Sequence, residues 1–146
     1  MAAARGQLME IAMFLTRRVL NGALIAAALA VGGLASSAFA NSAVPFTADA
    51  FKSAQAAGQP ILVEVHADWC SVCRAQAPVI GRLTASPKFK DMKIFRVDFD
   101  SQKPAVKQFG ANMQSTLIVF KGNAEQGRSV GDTKEASIAA LLNKGL

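Results

Sequence analysis

The two cysteines of the chain stand two residues apart, in Ala67-Asp68-Trp69-Cys70-Ser71-Val72-Cys73-Arg74. An apolar run precedes them and a helix-like segment follows. A cysteine at the first turn of a helix faces unpaired main-chain N–H groups and the positive end of the helix dipole, and both favour thiolate over thiol. A second cysteine three residues on shares that helical face, one turn deeper. The outer sulfur of such a pair attacks a disulfide in a partner; the inner thiol then resolves the mixed disulfide, leaving a Cys70–Cys73 bridge. Cys70 is therefore the candidate nucleophile and Cys73 the resolving thiol. Two other uses of the pair compete with this one. Zinc wants four ligands, and beyond the two cysteines the chain offers one histidine, His66. A passive bridge would close a very short loop and remove little entropy from the unfolded chain.

The elements that must position the pair lie in residues 41–146, because the first forty residues differ in kind. Residues 1–40 carry three Arg and one Glu, an apolar stretch from Gly22 to Leu34, and then Ser36-Ser37-Ala38-Phe39-Ala40. Basic flank, short apolar core and small-x-small ending are the pattern of a secretory signal peptide, with cleavage expected after Ala40. The core is short for a membrane-spanning helix; an uncleaved N-terminal anchor is the alternative. Thr16-Arg17-Arg18-Val19-Leu20 faintly resembles a twin-arginine signal, although ordinary Sec-type charge is the preferred reading. Met9 and Met13 are alternative starts. The expected location is periplasmic or otherwise exported. There a dithiol is either an oxidant or the client of a dedicated electron supply.

Sixteen basic and ten acidic residues give the whole chain +6; without residues 1–40 the counts are thirteen and nine, or +4. The basic residues are scattered, with little aromatic interleaving, which describes a solvated surface rather than a nucleic-acid site. Residues 41–146 show no repeat and no second linker, so one domain with a modest core is expected.

Val44-Pro45-Phe46 is short and extended. Thr47 suits the N-cap of a helix from Ala48 to Ala57, with Phe46 and Phe51 as a hydrophobic staple and Gly58 as its stop. Ile61-Leu62-Val63-Glu64-Val65 reads as a central parallel strand, apolar on both faces apart from one acid. A helix from Cys70 to about Ala85 contains Pro78 as a kink. Then come a strand (Met92 to Phe99), a short helix (Lys103 to Phe109) and a strand (Thr116 to Phe120). The turn Lys121-Gly122-Asn123 leads to a strand from Gln126 to Val130 and a final amphipathic helix, Thr133 to Asn143. The order calls for an α/β fold, a central mixed sheet with helices on both faces.

With these residues in view the chain resembles the thioredoxin superfamily over nearly all of residues 41–146. Trp69-Cys70-x-x-Cys73-Arg74 is similar to that family's active-site signature, and Pro78 matches its kink proline. Phe109-Gly110, Thr116-Leu117-Ile118-Val119-Phe120-Lys121-Gly122 and Gly131 resemble its second hallmark and the glycine after the last strand. The resemblance implies a protein-disulfide oxidoreductase with a redox-active Cys70/Cys73 pair and no cofactor or resident metal.

Glu64, six residues before Cys70, occupies the place of a buried acid in that family. A carboxylate in a strand covered on both faces is costly, so its pKa should rise. By resemblance Glu64 exchanges protons with Cys73 through a water. The competing reading is a strand-end acid that reaches solvent or pairs with a Lys.

Two departures stand out. The family places a cis-proline immediately before the Thr of the second hallmark, where neighbouring backbone pairs with substrate; here that place is Ser115, in Met113-Gln114-Ser115-Thr116. A cis bond before a non-proline residue costs roughly 2.5 to 4 kcal/mol, so Gln114–Ser115 is expected trans, presenting a hydroxyl to the cysteines. Trp69, Gln114, Ser115 and Thr116 are the candidate substrate-binding residues. The second departure is Ser71-Val72, which lacks the histidine that strongly oxidising members often carry, so the chain looks more like a periplasmic reductant fed by a membrane transporter. His66 is read mainly as a packing or surface residue, Asp68 as solvent-facing, and Met92 and Met113 as packing residues.

The leading expectation is an exported thiol–disulfide oxidoreductase that reduces disulfides of extracytoplasmic proteins, monomeric and supplied by a membrane electron donor. The alternatives are a disulfide-forming oxidase, a Cu(I) or thiol carrier using Cys70 and Cys73 with Met113 or His66 nearby, and a redox-inert interaction domain.

Overall fold

The structure is a computed structural model, and it describes residues 42–146. The expected leader and the alternative starts lie outside the described residues. Nine elements follow one another: β1 (Val44–Pro45), α1 (Ala48–Ala56), β2 (Pro60–His66), α2 (Ser71–Thr84), β3 (Lys93–Asp98), α3 (Lys103–Gln108), β4 (Thr116–Lys121), β5 (Ala124–Val130) and α4 (Glu135–Asn143). The sheet order is β1-β3-β2-β4-β5. The β1–β3 and β3–β2 pairs are parallel, while β2–β4 and β4–β5 are antiparallel. This is the mixed sheet between helices that the element order called for, and the thioredoxin fold that the resemblance implied.

Alternation along β2 divides the core. Ile61, Val63 and Val65 face a cluster that includes Phe51 of α1, Val106 of α3 and Phe109; Leu62 faces Val79 and Ile80 of α2 and Leu142 of α4. Helices therefore cover both faces of the central strand. The first cluster is built on Phe51, whose ring centroid lies 5.2 Å from that of Phe109 and 5.4 Å from that of Phe120, both edge-on. Thr47 caps α1 through a hydrogen bond to its Oγ1 from the Ala50 N–H, and the Phe46 and Phe51 rings staple the entry at 5.8 Å.

Most starts fall within one residue of expectation, and two elements start two residues away from it. β5 begins at Ala124, two residues early, because Gly122 at φ +54° closes the turn tightly enough for Lys121 to pair with Ala124. A bulge beside Val119 and Phe120 then shifts the register, which blurs the alternation of β5. The last helix begins two residues late. Asp132 first forms a turn, accepting the Lys134 N–H at 3.1 Å and the Ser137 hydroxyl. Helix α2 is continuous across Pro78.

Candidate active site

The site forms where β2 ends. After His66 the chain turns through Ala67-Asp68-Trp69, with the Cys70 N–H donating to the Ala67 carbonyl at 3.0 Å. Cys70 is the N-cap of α2, in extended conformation, and its Sγ accepts the Cys73 N–H at 3.1 Å. A sulfur thus fills the place a serine or aspartate oxygen takes at an ordinary cap. Both cysteines are free thiols, and each is only 3% exposed.

Burial opposes ionisation of Cys70. Hydrogen bonds from Cys73, from the Cys73 and Val72 main chain and from the Ser115 side chain outweigh it, and hold Cys70 below the ordinary thiol range. For Cys73 burial works with the neighbouring sulfur, and together they push that thiol up, against weaker help from the Ala67 and Ser115 main chain. The pair is polarised, with an acidic outer thiol and a reluctant inner one.

Strand topology brings in the second wall. Because β4 runs antiparallel to β2, its first residue, Thr116, pairs with Val65 at the end of β2. Ser115, one residue earlier, therefore arrives beside the sulfurs, its N–H donating to the Val65 carbonyl at 2.7 Å. No described peptide bond is cis, so Gln114–Ser115 is trans as expected. The unexpected feature is φ +59° at Ser115, a left-handed conformation that is uphill for any residue with a Cβ. The Ser115 carbonyl accepts the Gly131 N–H at 3.0 Å and the Gln76 Nε2 amide at 3.2 Å. Its hydroxyl lies 2.5 Å from the Gln114 carbonyl and reaches Cys70.

Glu64 lies on the α2 face of β2, 7% exposed, at the rim of a cleft of about 310 Å³ that Ala77, Ile80, Gly81 and Arg96 also line. Burial raises its pKa, and Arg96 and, more weakly, His66 counteract that. The groups acting most on Cys73 are Cys70, Ala67 and Ser115, whereas Glu64 is engaged by Arg96. The acid is thus buried as expected but paired, and paired with an arginine rather than a lysine.

The thioredoxin family model matches residues 42–144. The chain belongs to the thioredoxin family. It is 34% identical to the thioredoxin of Chlamydia muridarum over 84 residues, 58% of this chain and 80% of that one. To thioredoxin Asp f 29 of Aspergillus fumigatus it is 32% identical over 82 residues, 56% of this chain and 74% of the relative. Among solved structures it is similar to Trxlp from Edwardsiella tarda, with 42% identity and a TM-score of 0.67 over 69% of this chain and 98% of that one. The chain is a thioredoxin-family thiol–disulfide oxidoreductase, and proteins of that family act on disulfide-bearing protein substrates.

Around the thioredoxin-type site, Trp69 is 60% exposed and its indole N–H donates to Asp100 at 2.8 Å. The ring therefore stands over the surface beside the cysteines instead of packing into the core. Thr116 is buried, with its hydroxyl donating to the Met113 carbonyl at 2.7 Å, and Gln114 is half-buried. The Asp68 side chain is solvent-facing and lies 3.4 Å from His66, which is largely covered. Met92 packs in the core, but Met113, expected there too, is 54% exposed on the loop before β4. That loop turns its main chain inward to hold Ser115 and Thr116, which leaves the Met113 side chain outside. Among the described residues no three His, Cys, Asp or Glu side chains form a metal-binding group.

Three residues of the site escaped sequence reasoning. Arg96 is Glu64's partner, and only the β2–β3 register places it there. Asp100 anchors Trp69 from thirty-one residues away. Gln76 had a visible signal: it is a polar residue three positions after Cys73, on the helix face that Cys73 and Val79 mark as inward.

Proposed function

We propose that this protein is an exported reductant of protein disulfides, with Cys70 as nucleophile and Cys73 as resolving thiol. The observation that carries the reading is the polarised pair, a Cys70 sulfur at the cap of α2 above a Cys73 thiol whose ionisation is suppressed. In the first step the Cys70 thiolate attacks one sulfur of a substrate disulfide; an S–S bond to Cys70 forms and the other substrate sulfur leaves as a thiolate. In the second, Cys73 loses its proton and attacks Cys70. The substrate's second sulfur leaves, and two electrons have passed from the Cys70/Cys73 pair to the substrate. Glu64 is proposed to accept the Cys73 proton through a water. Trp69, Gln114, Ser115 and Thr116 would receive the substrate chain.

Export rests on the pattern of residues 1–40, and a dithiol that works outside the cytoplasm needs a donor, which we assign to a membrane partner. Turnover in an insulin-reduction assay, joined to the reduction potential of the couple in glutathione buffers, tests the reading. A value near −270 mV, around that of thioredoxins, supports a reductant; one near −120 mV makes the protein an oxidase. Stoichiometric Cu(I) retention without turnover would replace both with a carrier. Cell fractionation with N-terminal sequencing tests export and cleavage after Ala40.

A further inference from the structure

We propose that Gln76 is a positioning residue for the redox step: its side-chain amide holds Ser115 so that the Ser115 hydroxyl faces the Cys70 sulfur and steadies its thiolate.

Gln76 lies on α2, one turn beyond Cys73, and is 3% exposed. A buried amide is costly unless its donors are used. Nε2 donates to the Ser115 carbonyl at 3.2 Å and to the Asp132 carbonyl at 2.8 Å. One side chain thus ties the helix that carries both sulfurs to the loop before β4 and to the loop after β5. Between those ties sits the left-handed Ser115, a conformation that persists only where its surroundings impose it. Val65 holds its N–H, while Gly131 and Gln76 hold its carbonyl. No other residue described here touches Ser115 from the cysteine helix through a side-chain amide.

The consequence falls on the hydroxyl. Ser115 is 5% exposed, and its single hydroxyl proton has two acceptors within reach, the Gln114 carbonyl and the Cys70 sulfur. In the structure the hydroxyl donates to the Gln114 carbonyl at 2.5 Å. Once Cys70 is ionised, rotation about one bond aims it at the sulfur, as a charge-assisted hydrogen bond. Gln76 touches neither sulfur, so it acts through Ser115.

The inference rests on Cys70 as the nucleophile, and the test separates the two. The pH dependence of iodoacetamide alkylation is followed in the full chain, with the modified cysteine identified by peptide mapping. Comparison is made among Ser115→Ala, Gln76→Met and the double variant. We expect S115A to slow Cys70 alkylation about tenfold at pH 6, the loss of one hydrogen bond to a charged group. Q76M should slow it in the same direction, and the double variant no further than S115A. If Q76M does not fold, Gln76→Asn takes its place with the same expectation. A Q76M protein that melts earlier yet keeps the wild-type pH profile overturns the proposal, since Gln76 is then a packing residue only. So do effects of Q76M and S115A that multiply. Alkylation of Cys73 in the wild-type chain overturns the nucleophile reading itself and the proposal with it.

Discussion

Arg96 grips a single carboxylate oxygen of Glu64 from two nitrogens, Nη2 at 3.1 Å and Nε at 3.3 Å, across two adjacent parallel strands. The geometry leaves the other oxygen of a buried acid free of that grip. Burial still wins over the arginine, and Glu64 is harder to ionise than a free glutamate. Between its unfolded value of 4.5 and its folded one the native chain therefore holds more protons than the unfolded chain. Stability must fall as pH rises through that window. Glu64→Gln removes the effect: urea denaturation should find the variant more stable than wild type at pH 7 and level with it near pH 4. A less stable variant at pH 7 would mean that the arginine, not burial, dominates.

Removing the arginine tests the same pair from its other side. Arg96→Leu leaves the acid alone in the cleft, and we expect a loss of about 1–2 kcal/mol at pH 7. The guanidinium is 42% exposed, so water softens the penalty that a fully buried pair would show. Most of the loss should vanish in acid, where Glu64 is neutral in both states; a loss independent of pH would assign Arg96 a packing role.

Cys73→Ser removes the resolving thiol and keeps the nucleophile. Incubated with a disulfide substrate, the variant should accumulate a covalent adduct at Cys70, released by reductant and visible by mass spectrometry. Cys70→Ser should form none. Adducts on the second variant would exchange the roles of the two sulfurs.

Trp69→Ala should barely change stability, by about 0.5–1 kcal/mol, because the ring is exposed and gives up one hydrogen bond, to Asp100. Its loss should raise KM for a protein disulfide several-fold and leave KM for a small disulfide unaltered. Equal effects on both would place the ring in the chemistry rather than in binding.

Phe51→Ala addresses the opposite side of the sheet. The ring meets Phe46, Phe95, Phe109 and Phe120, and its removal should cost about 3–5 kcal/mol in urea denaturation. The cysteines belong to a separate small cluster that meets the Phe51 cluster through the partly buried Phe99, so the reduction potential should move little. A shifted potential would reveal coupling through β2.

What the sequence showed and what it hid have physical explanations. Thr47, Phe46, Phe51 and Gly58 act within a few residues of one another, and local rules place them. The cysteines announce their own chemistry by spacing, and Cys70 indeed caps its helix. Arg96 could not be found that way, since thirty-two residues separate it from Glu64 and only the strand register brings them together. The trans peptide before Ser115 followed from the cost of a cis bond. Its left-handed φ did not, because it is imposed by Val65, Gly131 and Gln76, each from a different part of the chain. Met113 was misjudged because a methionine between polar neighbours carries no sign of which way its loop turns.

The place of Trp69 gives the protein an optical handle of its own. It is the only tryptophan, the chain has no tyrosine, and the indole is fixed to Asp100 beside the two sulfurs. Every photon of near-ultraviolet emission from the protein's indole thus originates next to the reacting bond. Closing or opening that bond should change the quenching of an indole one residue away, so the emission of an unlabelled sample is expected to report its redox state in real time and without a dye.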